Sequence, residues 1–281
     1  TAHGPFEGTV KSSDEHIIVG IKKILATAIR NPADLPWKKN NVDVVVECTG
    51  VFRTEETAGL HIQAGAKKVI LSAPAKSPGI KTIVLGVNDS DLEKSDKIIS
   101  NASCTTNCLA PLIKVIQENW GLVQGSMTTI HAYTGDQRIQ DAPHSDLRRA
   151  RAAASNIVPT STGAAKAVTK VIDGIDGKLF AMAVRVPVIT GSLVELNVML
   201  EKAVDVKKIN NTFKKYARGP LSGILEYCED EIVSSDIVRN PHSSIFDSKL
   251  TQVSGNLVKI VSWYDNEAGY SNRLAELTAR V

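Results

Sequence analysis

The 281-residue chain lacks a strong charge of either sign, a long apolar run, a cluster of metal ligands and a glycine-rich nucleotide loop. Each absence excludes something. The formal net charge is +3, too small to indicate a nucleic-acid or membrane partner. The longest apolar runs, such as Val42–Val46, fall far short of the ~20 residues that span a bilayer. The opening Thr1-Ala2-His3-Gly4 is not a secretory leader, and without an initiator Met it suggests a processed chain or a fragment. There are four cysteines: Cys48, Cys104, Cys108 and Cys228. In a chain of this length with no leader, they are expected as reduced thiols in a cytoplasmic setting. Cys104 and Cys108 are close, but no second Cys or His pair accompanies them, so no metal is expected. No Gly-x-Gly-x-x-Gly occurs, and neither an internal repeat nor a low-complexity linker is visible.

What is present is a globular composition, with 43% hydrophobic and 22% charged residues. Apolar runs at Val42–Cys48, Lys67–Ser72, Thr82–Val87 and Lys97–Ser100 predict short strands, and the polar stretch Thr54–Ala64, ended by Gly65, predicts a helix between the first two. Near-continuous apolar strands separated by helices imply a parallel sheet covered on both faces. Beyond it, Leu109, Leu112, Ile113 and Ile116 recur at helical spacing over Thr106–Glu118, with Pro111 inside the pattern as a kink or a lost bond. Longer strands are predicted at Ser126–Ala132, Leu179–Pro187, Ser192–Leu200 and Leu257–Tyr264, and helices at Thr162–Ile172 and Val206–Tyr216. This second part suggests a mixed or antiparallel sheet with helices on one side, with a boundary near Ser103.

Asn101 through Cys108 joins a predicted strand to a predicted helix, which places Cys104 at a helix N-terminus. Free N–H groups and the dipole favour a thiolate there, and the same groups can hold an oxyanion. A buried structural thiol is the alternative. Ser103, Thr105 and Thr106 either cap the helix or bind an anion beside the sulfur. A tyrosine-phosphatase loop requires Arg six residues after its Cys, and Ala110 stands there. Cys108 shares a face with Leu112 and Ile116 and is expected in the core. His131 lies in an apolar strand, where a hydrogen-bonded core histidine is the default. Arg185 alternates onto one face with Ala181 and Ala183, which calls for an anion or an internal ion pair. Thr160 to Lys166 opens a helix whose N–H groups suit an oxyanion. The run Asp146 to Arg151 is either a solvated or interface loop or an anion site.

Ala102-Ser103-Cys104-Thr105-Thr106-Asn107-Cys108-Leu109-Ala110-Pro111 resembles the active-site signature of glyceraldehyde-3-phosphate dehydrogenases. Thr49-Gly50-Val51-Phe52 and Ser262-Trp263-Tyr264-Asp265-Asn266-Glu267 are similar to further stretches of that family, so the resemblance spans essentially the whole chain. It implies an α/β fold: a partial Rossmann-like dinucleotide-binding domain over 1–103 and 266–281, and an α+β catalytic domain over 104–265 with a mixed or antiparallel sheet. About fifty residues of the family, carrying the phosphate loop, would precede His3-Gly4-Pro5-Phe6.

The resemblance implies Cys104 as nucleophile and His131 as general base and acid, titrating as a coupled pair. It implies Arg185 and Thr134, with Asp136 nearby, on the substrate's phosphate, and Ser103, Thr105, Thr162, Gly163 and Arg149 on inorganic phosphate. Thr49, Gly50, Phe52, Ser72, Asn266 and Tyr270 would meet the cofactor, NAD. Pro143 is typical of NAD-preferring members, whereas Ala142 is nearer to dual-cofactor ones. The stretch Val188 to Ser192 departs from the family pattern and concerns a local loop. The implied reaction is the NAD-dependent oxidative phosphorylation of glyceraldehyde 3-phosphate, in a cytoplasmic homotetramer. Two alternatives stand beside it: an erythrose-4-phosphate dehydrogenase, faintly suggested by Asn240 to Ser243, and a non-catalytic subunit or binding fragment.

Overall fold

A computed structural model describes residues 2–281. The β-branched run after Asp43 becomes β4 (Val44–Glu47), preceded by a small antiparallel sheet of β1 (Val10–Ser12), β2 (His16–Val19) and β3 (Lys22–Leu25). Strand β5 (Lys68–Leu71) pairs parallel with β4, and β7 (Ile98–Ser100) with β5. The fourth strand, β6 (Lys81–Thr82), completes the order β4-β5-β7-β6. Helix α1 (Glu55–Gln63) begins at Thr54, whose hydroxyl accepts from Thr57 N while Thr57 reaches back to the Thr54 N–H.

Two expectations need correction here. The run Thr82–Val87 is not a strand: β6 ends at Thr82 because Asn88 bridges the chain, accepting from Val84 N at 2.8 Å and donating to Thr82 O at 2.9 Å. Ile83, Val84 and Leu85 are nonetheless buried, so their apolarity marks a core loop. Nor is the parallel sheet covered throughout by the described residues: among them β4 lies at the sheet's edge, and Val46 keeps 36% of its surface exposed.

The larger sheet has seven strands: β8 (Leu122–Ala132), β9 (Val158–Thr160), β10 (Leu179–Val186), β11 (Ser192–Leu200), β12 (Leu225–Cys228), β13 (Ser244–Ser254) and β14 (Leu257–Tyr264). Their order is β12-β13-β14-β11-β8-β10-β9, with β8–β10 and β12–β13 parallel and the other pairs antiparallel. Along β11, Ser192, Val194, Leu196, Val198 and Leu200 turn inward. They meet α2 (Cys104–Trp120), whose residues Thr105–Ile113 are all buried although Pro111 interrupts the ladder. Helix α3 (Ala164–Val168) is five residues long and shorter than the Thr162–Ile172 pattern predicted, because the chain leaves the helix at Thr169 and turns toward Gly174. Helices α4 (Val206–Ala217) and α5 (Ala268–Arg280) complete the fold, with Leu277 of α5 in the same core as α2. No helix among the described residues is long and apolar enough to cross a membrane.

Candidate active site

Between β7 and α2 the backbone makes a constrained turn. Ala102 has φ 56°, a left-handed conformation costly for a residue with a Cβ. The turn is held from several sides: Ala102 N donates to Ser100 Oγ at 3.1 Å, and Asn107 Nδ2 donates to Asn101 O at 2.8 Å and Ser103 O at 3.0 Å. Cys104 becomes the first residue of α2, and Ser103 is its N-cap, accepting from Thr106 N at 3.1 Å. Of the two uses open to the Ser103 hydroxyl, capping is the one seen. Cys104 stays half-buried, whereas Cys108, one turn on, is sealed in the core.

His131 is the second-last residue of β8, and its Nε2 lies 3.5 Å from Cys104 Sγ. Arg185 is the register partner of His131 across the parallel β8–β10 pair, which explains their contact. Arg185 Nη1 lies 2.7 Å from His131 Nδ1 and 3.0 Å from Ala132 O, while Nδ1 itself is 2.7 Å from that carbonyl. Tyr264 stands edge-on to the imidazole at 5.9 Å, and its hydroxyl bonds Thr105 at 2.9 Å and Thr129 at 2.8 Å. Sequence reasoning assigned Tyr264 no role, although the stretch that contains it was conspicuous.

Burial pushes the Cys104 thiol up, opposed by the Arg185 charge and by hydrogen bonds from Thr105 and the helix backbone. Burial pushes His131 down to about 4, and Arg185 adds to that shift. Burial of the pair thus works against the charge that the helix terminus favours on the sulfur.

The predicted phosphate residues fall into two groups. Arg149 is the inward-facing arginine of its loop: its guanidinium is bound by Asp136, reaches Thr160 Oγ1 at 2.9 Å and Ser161 O at 3.1 Å, and lies 3.6 Å from Asp146. Arg151 instead pairs with Asp141 at the surface. Thr134 follows β8, its N–H donating to Gln137 at 3.4 Å, and Gly163 precedes α3, where Thr162 accepts from Ala164 N at 3.2 Å. The field of Arg149 reaches both His131 and Arg185. Arg185 Nε is buried and has no hydrogen-bond partner among the described residues.

Four of the predicted cofactor residues, Thr49, Gly50, Phe52 and Ser72, follow the carboxyl ends of parallel strands, where ligands enter such sheets. Thr49 and Gly50 follow β4, and a Cβ on Gly50 would meet only open space. Thr49 is fixed by the buried Glu47 carboxylate, which also meets His61 at 3.1 Å; His61 in turn packs edge-on against Phe52. Ser72 N continues the β4–β5 ladder by donating to Glu47 O. Asn266, after β14, accepts at Oδ1 from Gly191 N at 3.1 Å and Ser192 Oγ at 3.0 Å, so its Nδ2 is the end left to donate. Tyr270 donates to Ala102 O at 3.3 Å and so ties α5 to the Cys104 turn. An open turn, a fixed Thr49 and an unspent amide donor suit a dinucleotide.

The profile described as the C-terminal domain of glyceraldehyde 3-phosphate dehydrogenase matches residues 103–266, and that of its NAD-binding domain matches residues 1–55. The chain is 59% identical over 269 residues to the glyceraldehyde-3-phosphate dehydrogenase of Mycobacterium leprae, an alignment covering 95% of this chain and 79% of the relative. It is 60% identical over 269 residues to that of Mycobacterium tuberculosis, with the same coverage. Against that of Mycoplasma pneumoniae it is 57% identical over 281 residues, covering 99% of this chain and 82% of the relative.

Proposed function

The chain belongs to the glyceraldehyde-3-phosphate dehydrogenase family, and from that premise we propose how its own residues perform the reaction. The protein is an NAD-dependent oxidoreductase of glycolysis, and its substrates are glyceraldehyde 3-phosphate and inorganic phosphate. The observation that carries the reading is the 3.5 Å approach of His131 Nε2 to Cys104 Sγ at the mouth of a buried helix.

Cys104 attacks the aldehyde carbon as a thiolate, having given its proton to His131. The oxygen that becomes anionic is held by the Cys104 N–H and by His131. His131 gives that proton to the oxyanion, making the hemithioacetal hydroxyl, and takes it back as the hydride leaves the carbon, so a thioester is left on Cys104. NAD, when bound, supplies the hydride acceptor. Thr49, Gly50, Phe52 and Ser72 would hold the dinucleotide, with Asn266 as a donor for its carboxamide and Tyr270 on the nicotinamide side. Arg185 and Thr134, with Asp136 nearby, hold the substrate's phosphate. Inorganic phosphate, gathered by Ser103, Thr105, Thr162, Gly163 and Arg149, attacks the thioester carbonyl. The C–S bond breaks, and 1,3-bisphosphoglycerate leaves.

Residues 1–103 and 266–281 form the cofactor-binding domain and 104–265 the catalytic one, a division supported by the separate parallel and mixed sheets. A cytoplasmic homotetramer is the proposed assembly. Its support is the outer face of the large sheet, where Phe180 is 73% exposed beside exposed Met182, Val123, Met199 and Leu257. The test of the chemistry is Cys104→Ser, which loses at least the ~10² of a positioned catalytic group. Retention of more than about a tenth of the rate would remove the thiolate from the mechanism.

A further inference from the structure

Glu47, the last residue of β4, is 4% exposed, and among the described residues its carboxylate meets no lysine or arginine at ion-pair distance. Its Oε1 accepts from Thr49 N at 2.7 Å and from the Thr49 hydroxyl, and its Oε2 lies 3.1 Å from His61 Nε2. His61, in the last turn of α1, is also 4% exposed. Its other ring nitrogen, Nδ1, accepts from Trp37 Nε1 at 3.1 Å. An indole N–H can only donate, so Nδ1 supplies a lone pair and the proton of the neutral ring sits on Nε2. Trp37 therefore donates to His61, and His61 donates to Glu47.

Stability alone does not call for this arrangement. Val45 and Glu47 are the inward residues of β4, and an apolar side chain at 47 would extend the cluster of Val45, Val69 and Leu71. A buried carboxylate is costly instead, and the hydrogen bonds it accepts have to offset that cost. What those bonds fix is the turn after β4. Thr49, Gly50 and Val51 are exposed, and Gly50 has φ 72°. Val51 N donates to Thr49 Oγ1 at 3.1 Å, and Phe52 stands edge-on to the His61 ring at 6.1 Å. Among the described residues, no hydrogen bond other than those to Glu47 ties Thr49, Gly50 or Val51 to the body of the domain. The turn is thus anchored at both ends on one pair of buried groups.

We propose that Trp37, His61 and Glu47 are positioning residues for the cofactor, which hold the Thr49–Phe52 turn in its binding form before the dinucleotide arrives. A turn ordered in advance spares the ligand the entropy of ordering it, and the gain appears in affinity rather than in the rate of the loaded enzyme. Trp37 acts at two removes from Thr49, through His61 and then Glu47. The side chain at 61 has to accept from the indole and donate to the carboxylate at once, so its hydrogen-bonding pattern matters as well as its volume. The inference rests on the reading that the Thr49 turn holds the dinucleotide.

The test uses the full chain, with NAD itself as the probe. Kd for NAD is measured by calorimetric titration, KM and kcat at saturating glyceraldehyde 3-phosphate and inorganic phosphate, and folding by the urea midpoint. His61→Leu removes both links. Kd and KM for NAD are expected to rise about tenfold, as for a lost hydrogen bond to a charged group, while kcat at saturating NAD moves far less. His61→Gln offers an amide donor and a carbonyl acceptor in place of the two ring nitrogens, and Kd is expected to return to within about threefold of wild type. Trp37→Phe keeps a ring and loses the N–H, and a rise in Kd of about threefold is expected. A lower urea midpoint in His61→Leu with Kd for NAD unchanged reduces the three residues to core packing and overturns the proposal. Binding in His61→Gln as weak as in His61→Leu overturns it too. Should His61→Leu not fold, Trp37→Phe decides, and an unchanged Kd there overturns the proposal. Gly50→Val tests the reading beneath. If it leaves Kd unchanged, the turn does not hold the dinucleotide and the inference falls with it; if it raises Kd while His61→Leu does not, the bracing alone is wrong.

Discussion

The Tyr264 hydroxyl illustrates what a single side chain settles. Thr129 donates to Leu193 O at 3.0 Å, so its oxygen accepts from Tyr264, and Tyr264 in turn accepts from Thr105. Tyr264→Phe leaves two buried hydroxyls short of a partner. The expected loss is about 1–3 kcal/mol, read as a lower urea midpoint at unchanged m-value. His131→Asn removes the base and is expected to lower kcat by ~10²–10⁴, measured at saturating substrate. Cys104 was legible because a ten-residue signature surrounds it. Tyr264 was not: a tyrosine in a strand looks like core, and its hydroxyl partners lie 135 and 159 residues away. The contact of Arg185 with His131 was equally hidden, since it depends on a parallel register between strands 54 residues apart.

Among the elements, α2 bears most directly on the site, because its first turn presents Cys104. Ser103→Ala removes its cap, and a loss of about 1 kcal/mol is expected in equilibrium unfolding. An unchanged midpoint would mean that the helix start is held by Asn107 and the Ala102 turn alone. The strands at 179–186, 192–200 and 257–264 and the helices at 55–63 and 206–217 were visible from patterns with a buried side. Among the elements missed, β13 buries Ser244–Ser248, a run made largely polar by Ser244, Asp247 and Ser248, while β1, β3 and α5 carry little of that signal. Every residue of β1 and β3 is exposed, so nothing in them alternates. Helix α5 buries Gly269, Arg273 and Leu277, a stripe in which one position of three is apolar in the ordinary sense. The apolar run at 83–87 misled in the opposite direction, because a core loop can be as apolar as a strand.

For the molecule as a whole, the depressed His131 gives stability a definite pH dependence. Its value falls from 6.5 to about 4 on folding, so between those limits the unfolded chain binds more protons and stability rises with pH. This contribution, roughly 3 kcal/mol in full, is complete above pH ~6.5 and is lost on acidification toward pH ~4. Below pH ~4 both states carry the proton and the contribution is flat. His131→Asn should flatten that part of the curve in denaturation series at matched ionic strength. The exposed outer face of the large sheet carries a prediction of the same scale: Phe180→Lys places a charge in the proposed subunit contact, and sedimentation should show a smaller assembly with the fold intact by circular dichroism. The most direct test of the whole account mixes the protein with glyceraldehyde 3-phosphate and NAD in the absence of inorganic phosphate, followed by acid quench, intact mass and peptide mapping. The account predicts one acyl group per chain, on Cys104, discharged when phosphate is added before the quench. An unmodified chain, or an acyl group on Cys48, Cys108 or Cys228, would contradict it.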